Sequence, residues 1–565
     1  MPIEMAPVGI LLLGALIAAV VPARIAALTT LITPLAAAWA ALTLLKPGST
    51  ATWSIMAYQL EPVRADHFSL VMVGLFLFAA LAAALYGLGI RDRLQHASLL
   101  LYIAGGTGAV LAGDMISFFV FFELIGLGGT LLVLAARTPE ASAAAVRYLV
   151  FQVTAGLTLL AGILTVASSS GDWSFRAMDL QESGAWLMML AFGIKAGIPL
   201  LHGWIVDAYP KASLIGLAVL VAVTTKVGIY GLAHVFAGEG ILVGVGTVMA
   251  LWPLFYTLVE NDLKRVVAYA MLVQLGLMVA GVGVGSAIAL DGVAMHIVMD
   301  VLFKMTLFMA LGVVLLRVGT TRADRLGGLW RHMPLTTTFV AVAVAANVAL
   351  PLTGGFISKK TLLAGIEYGE VPVVVWAVLV SLSAMGTLYA GVRVLWEGFL
   401  KPPGSRQPAS IDDAPAPMAA AMGLLVVALL LTGTVPGLTD WLRPQASDYT
   451  PLYAGKIIGH MQMLLFSLAA YVLLVRAGFG LPRSRPATWL DAEWLYRRAL
   501  PTIAGVARRA LISLRNRALQ IIGRMSTPGH GRVSATLERS WPIGLMGLWA
   551  AALLAALLLF GIRSA

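Results

Sequence analysis

The sequence predicts an all-α polytopic membrane protein with about 14–16 transmembrane helices. Three observations predict it. The 565-residue chain is 60% hydrophobic and only 12% charged, where soluble domains carry about 25% charged residues. Apolar runs of about 18 residues or more, long enough to cross a bilayer core as a helix, recur along nearly its whole length. The basic residues fall in alternate loops, as expected of a chain that crosses a membrane repeatedly. Strands are excluded as the spanning element, because so closely spaced a set of open strands would leave backbone groups unpaired in lipid.

Taken in order, the spans are 5–22, 26–45, 67–88, 97–112, 114–135, 145–167, 185–206, 213–236, 240–258, 266–288, 291–316, 335–365, 372–398, 416–435, 457–476 and 541–561. The first lacks a basic leader and a small-residue cleavage site, so it reads as a retained span and not a signal peptide. Span twelve contains Pro351, Gly354 and Gly355 and reads as a broken helix.

Loops after odd-numbered spans hold most of the 38 Lys and Arg residues, including Arg91, Arg93, Arg137, Lys211, Lys264, Arg265, Arg317 and Arg322, and twelve arginines from Arg476 to Arg539. The other side holds six: Lys46, Arg64, Arg176, Arg443, Lys456 and Arg563. The positive-inside rule makes the odd loops cytoplasmic and turns both termini outward, to the periplasm of a bacterial inner membrane. The net charge of +11 is therefore a topological signal, and no nucleic-acid partner is expected. Residues 481–540 mix arginine with Leu, Ile and Ala at helical spacing. They predict a C-terminal amphipathic helix on the cytoplasmic membrane surface or a partner, or a basic tether on anionic lipid. Residues 401–417 (KPPGSRQPASIDDAPAP) form a Pro-rich loop.

The chain has no cysteine, which excludes disulfides, iron–sulfur clusters ligated by this chain and covalently attached c-type haem. No GxxxxGK[ST] is present, and GVGVGS at 281–286 is a glycine-rich helix end, so no cofactor is expected.

Ionisable side chains inside the spans carry the functional signal. Lys195, Lys226, Lys304, Lys359 and Lys360 fall there, with Glu123, His296 and Asp300. A central Lys or Asp costs roughly 2.5–3.5 kcal/mol on insertion scales, and such groups mark ion or proton paths. A static salt bridge joining two helices is the structural alternative for Glu123 and a lysine. A carboxylate facing Lys195 or Lys226 would instead gain and lose protons as the lysine changes charge. His296, Asp300 and Lys304 are four residues apart and line one stripe about 12 Å long at 1.5 Å rise per residue. They read as a proton ladder. With one His and one acid, a metal site is not expected. Lys195 precedes GIP and Lys359 follows PLTGGFIS, so both sit beside helix breakers, where unwinding can admit water. Lys360 reads as an interfacial snorkeler. His202 and Asp207, at the cytoplasmic end of span seven, are candidate gate residues or interface markers.

The segments FFVFFELIG, IKAGIPLLHGWIVDAY, TTKVGIYGL, ENDLKRVVAYAMLVQLGLM, HIVMDVLFKMTLFMALG and GGFISK resemble, in order, the antiporter-like subunits of respiratory complex I and of Mrp-type multisubunit cation/proton antiporters, most closely the D-type Mrp subunits. The resemblance covers roughly residues 60–400. It implies two inverted five-helix repeats and broken helices seven and twelve. Under it, residues 1–96 hold N-terminal helices, 97–236 a first repeat with a Glu/Lys half-channel, 240–398 a second with a His/Asp/Lys half-channel, 399–480 C-terminal helices, 481–540 the basic segment and 541–565 a last span. It implies a proton path through Glu123, Lys195, Lys226, His296, Asp300, Lys304 and Lys359. The chain departs from the family at Met299–Asp300, where Asn-His is frequent; a carboxylate there would favour a metal cation over a bare proton.

The expectation is a membrane subunit of a multisubunit Na+/proton antiporter with other membrane subunits as partners, itself a transporter and not an enzyme. The alternatives are a proton-translocating subunit of a complex I-like or hydrogenase redox complex, a membrane partner of proton-driven inorganic carbon uptake, and a structural anchor with relic charges.

Overall fold

The computed structural model describes residues 2–55, 58–402, 411–435, 437–477, 494 and 498–525. The expected last span, 541–561, and much of the basic segment lie outside the described residues.

Two helices, α1 (Ala6–Val20) and α2 (Ala23–Leu44), open the chain. A hairpin follows that the apolar pattern does not announce: β1 (Thr50–Ile55) pairs antiparallel with β2 (Tyr58–Arg64). α3 (His67–Tyr86) begins at Asp66, whose carboxylate accepts from the Ser69 backbone N–H while the Ser69 hydroxyl accepts from the Asp66 backbone N–H.

Five crossings then form the first half: α4 (Arg93–Leu111), α5 (Met115–Leu134), α6 (Pro139–Ser170), the broken pair α7 (Ala185–Ala196) and α8 (Gly203–Ala208), and α9 (Leu214–Val219) with α10 (Thr224–Val235). Five more form the second: α11 (Ile241–Val259), α12 (Leu263–Val284), α13 (Ala287–Val318), the broken pair α14 (Pro334–Asn347) and α15 (Gly354–Glu367), and α16 (Val373–Leu395). Beyond them come α17 (Ala416–Thr434), the single turn α18 (Gly437–Asp440) and α19 (Ala454–Arg476). Among the described residues, thirteen helices are long and apolar enough to cross a membrane; the two broken pairs add interrupted crossings. Helices seven and twelve are broken as expected, and crossing eight is interrupted as well, between α9 and α10.

The two halves repeat in detail. The third helix of each, α6 and α13, has 32 residues, starts at a hydroxyl cap (Thr138, Ser286) and ends on a left-handed glycine (Gly171, Gly319). The second helix of each starts at an aspartate cap that also forms a β-bridge to the segment just past the third helix: Asp114 with Ser174, and Asp262 with Arg322. Five crossings is an odd number, so the second half begins on the opposite face and the repeat is inverted.

Loop contacts sort the faces. On one, the hairpin, Gly113, Phe175 and Val235 meet through Gly113 N–H to Glu61 O (2.8 Å), Phe175 N–H to Gly113 O (2.9 Å) and Met178 N–H to Val235 O (2.9 Å). On the other, Leu263 donates to Thr321 O (3.0 Å) and Gly328 to Lys401 O (2.6 Å). This second face carries the arginine-rich odd loops.

The described residues past 492 belong to a separate unit. Its described helix, α20 (Leu500–Met525), is amphipathic as the sequence predicts, with Arg508, Arg509, Arg515 and Arg517 exposed.

Candidate functional site

The break in crossing seven is built by a glycine and a proline. Gly197, at φ 86°, ends α7, and its N–H and that of Ile198 both bond the Gly193 carbonyl, at 2.9 and 3.0 Å. Leu200 is left-handed too, at φ 69°, a conformation that costs energy for a residue with a side chain. Trp204 Nε1 donates to the Ile194 carbonyl at 3.2 Å and satisfies an acceptor freed by the break. The second break repeats the device, with Ala349 at 62° and Leu352 at 71°. There His460 of α19 places Nε2 3.1 Å from the Val348 carbonyl.

Lys195, fully buried in the last turn of α7, reaches α5. Its ammonium donates to the Phe122 carbonyl and lies 3.6 Å from the centroid of the Phe122 ring, a cation–π contact. Gly228 lets α10 press against this turn, since a Cβ there would come within 2.6 Å of the Ala196 nitrogen. Glu123, one residue on from Phe122, points elsewhere. Its Oε1 occupies the space in front of Gly156 on α6, where a Cβ would meet it at 1.7 Å, and has no hydrogen-bond partner. Glu123 and Gln152 line a crevice of about 360 Å³ between α5 and α6, rimmed by the exposed side chains of Val120, Leu127 and Leu149. Lys195 and Glu123 are thus neighbours that act on each other electrostatically, while the ammonium's hydrogen bond goes to the Phe122 carbonyl.

Lys226 on α10 and Asp300 on α13 form an ion pair at 2.6 Å with both side chains fully buried. This pair joins the two halves. Asp300 Oδ2 is taken by this ammonium, and its buried Oδ1 has no hydrogen-bond partner.

The other groups of the second half converge on an amide that the charge pattern of the sequence does not single out. Asn347 is the last residue of α14, at the break. Its Oδ1 accepts from Lys304 Nζ at 3.1 Å and from Gln274 Nε2 at 3.3 Å. Its backbone carbonyl accepts from Lys359 Nζ at 2.7 Å. Gln274 Oε1 lies 3.0 Å from His296 Nε2, and Ser358 Oγ 3.1 Å from His296 Nδ1. His296, Asp300 and Lys304 share one stripe of α13, yet each bonds to a different neighbouring helix and not to the next member of the stripe. Gln274 and Asn347 are lone amides in apolar runs (MLVQLGL, AANVALPL), and the cost of burying an unpaired amide would have singled them out.

Asp207 is held by two cations, Arg147 at 2.7 Å and Lys211 at 2.5 Å. His202 is buried at the head of α8. Lys360 is half-buried. Among the described residues, no group of three or more His, Cys, Asp or Glu side chains could hold a metal ion.

Fold and site together define a polytopic membrane protein of two inverted halves around a buried series of ionisable groups. The particular family follows from comparison. Residues 112–386 match the family described as NADH:quinone oxidoreductase/Mrp antiporter, TM. An NADH-quinone oxidoreductase component of Desulforudis audaxviator, its N subunit, is 32% identical over 383 residues, spanning 62% of this chain and 74% of that protein. A D-type Na(+)/H(+) antiporter component of Bacillus subtilis is 25% identical over 401 residues, spanning 66% and 78%. In the solved structure of the Mrp complex from Dietzia sp. DQ12-45-1b, one chain has the same fold, with a TM-score of 0.71 at 23% identity over 82% of this chain and 100% of that one. The chain belongs to the NADH:quinone oxidoreductase/Mrp antiporter transmembrane family.

Proposed function

We propose that this chain is the proton-translocating membrane subunit of a multisubunit monovalent cation (Na+)/proton antiporter, working beside other membrane subunits in a bacterial inner membrane with its arginine-rich loops in the cytoplasm. Its path would run from the Asp207–His202 end of the broken seventh crossing to Lys195 and Glu123. It would then pass across the Lys226–Asp300 pair to Lys304, Asn347, His296 and Lys359.

One observation supports this reading above the others. Six ionisable groups (Lys195, Lys226, His296, Asp300, Lys304 and Lys359) are at most 1% exposed, and their polar partners lie on several different helices. A purely structural anchor would be more stable with apolar residues in those places. Coupling is electrostatic: in a medium of low dielectric, a proton gained at one group changes the affinity of the next.

Glu123→Gln and Lys195→Ala, reconstituted with the native complex, should abolish sodium-dependent dissipation of a pH gradient while the complex still assembles. Normal dissipation in either variant refutes the role. A second reading, proton pumping within a redox complex, is favoured by the 32% identity to a quinone oxidoreductase component. Co-purified partners separate them: small membrane subunits support the antiporter, iron–sulfur proteins the redox pump, and a large soluble zinc protein inorganic carbon uptake.

A further inference from the structure

α10 carries a second stripe, of which the path above uses only Lys226. Lys226, Tyr230 and His234 are four residues apart on this helix, so they line one side of it over about 12 Å of rise. Exposure increases along the stripe. Lys226 is sealed, Tyr230 is 2% exposed, and the His234 side chain is 25% exposed.

His234 opens onto a cavity of about 370 Å³ lined also by Asp66, His67 and Ala237. The cavity lies on the face opposite the arginine-rich loops, where the β-hairpin and the start of α3 sit. His234 Nδ1 is 3.7 Å from Asp66 Oδ2. The imidazole is stacked between Phe175, at 4.9 Å, and Tyr230, at 5.5 Å between ring centroids. Those rings fix its plane and leave its edge toward the carboxylate. Arg64 acts on the same imidazole from β2 and is itself paired with Glu61 at 3.0 Å. Asp66, by contrast, is the near carboxylate able to stabilise an imidazolium. The Tyr230 hydroxyl donates to the Val110 carbonyl at 3.0 Å, which holds the phenol between the sealed and the open ends of the stripe.

We infer that His234 and Asp66 form a proton-exchange port on this face, which connects the cavity to the central Lys226–Asp300 pair through Tyr230. In the outward direction, the Tyr230 hydroxyl turns from the Val110 carbonyl and passes its proton to neutral His234, while its oxygen takes one from the Lys226 ammonium. Lys226 is left as an amine and His234 as an imidazolium facing Asp66. The imidazolium then releases its proton to water in the cavity. The reverse sequence loads Lys226. The port gives the junction between the two halves its own access to one side of the membrane, distinct from the ends of either half.

This inference rests on the proposed proton transport, and the test separates the two. The chain has no cysteine, so Ala237→Cys at the exposed rim of the cavity is a unique thiol. In vesicles containing the native complex, a bulky membrane-impermeant maleimide should react with it only from the face opposite the arginine-rich loops. The reaction should then lower proton transport at least tenfold. Tyr230→Phe, which keeps the ring and removes the relay oxygen, and His234→Gln should lower it similarly while the complex assembles. Unchanged transport in labelled Ala237→Cys and in both variants, alongside its loss in Lys195→Ala, overturns the port and leaves the proposed function standing. Retained transport in Lys195→Ala overturns both.

Discussion

Lys226 and Asp300 face each other at 2.6 Å across the junction of the two inverted halves, and neither side chain has any exposed surface. Removing one member strands the other as a buried charge. Lys226→Met or Asp300→Leu alone should destabilise the bundle by about 3–5 kcal/mol. The double variant should recover most of that loss, since an apolar pair of similar volume replaces both charges, yet it should not recover transport. Thermal unfolding of the purified complex and vesicle assays on the same samples would check both halves of the prediction.

Asn347 gathers Lys304 and Gln274 on one side-chain oxygen. Asn347→Leu removes that acceptor and leaves the Lys359 bond to the backbone carbonyl in place. A hydrogen bond to a charged group contributes about 1.5–3 kcal/mol, so transport should fall by roughly tenfold to a hundredfold. A variant with wild-type rates would show that Lys304 finds an equivalent partner without this amide.

Gly156 leaves the space that the Glu123 carboxylate fills. Gly156→Ala should push the carboxylate out into the crevice beside Gln152, because a Cβ and Oε1 cannot share the site. The end of a glutamate side chain moves easily, so folding should be nearly unchanged while transport drops several-fold. Comparing complex yield with initial transport rate distinguishes this from simple destabilisation.

The segment between α6 and α7 is clamped by Arg176, which pairs with Asp172 at 2.9 Å and Glu182 at 2.8 Å. The Ser174 backbone N–H and then Arg176 hold Asp172 below the usual carboxylate range, and Arg176 does the same for Glu182. Both values fall on folding. The clamp therefore contributes fully above the unfolded carboxylate values of about 4 and is lost as pH drops through the lower folded values. Proteolysis of residues 171–184 should accelerate below about pH 4 in the native protein. Arg176→Gln should be cut readily at neutral pH as well, with little further change on acidification.

Much of the architecture was legible because a bilayer imposes a simple code. Span length, the alternation of arginine between loops and the breakers Pro199, Pro351 and Gly354 are local properties, and the fifteen spans expected up to residue 476 coincide with the described crossings. The β-hairpin and the interruption of crossing eight were not legible. The first is stabilised by contacts to Gly113 far along the chain, and the second falls in LAVLVAVTTK, which contains neither glycine nor proline.

Among the site residues, the sequence by itself determined which groups had to be accounted for, since a charge in an apolar run cannot be left unpaired at low cost. It could not determine their partners. Spacing on α13 suggested that His296, Asp300 and Lys304 serve one another, whereas the fold gives them Gln274 with Ser358, Lys226 and Asn347. It also turns Lys195 to a carbonyl of α5 and Glu123 toward Gly156. Partnership depends on which helix faces lie within a hydrogen bond's reach, and helix packing sets that distance only once the whole bundle has assembled.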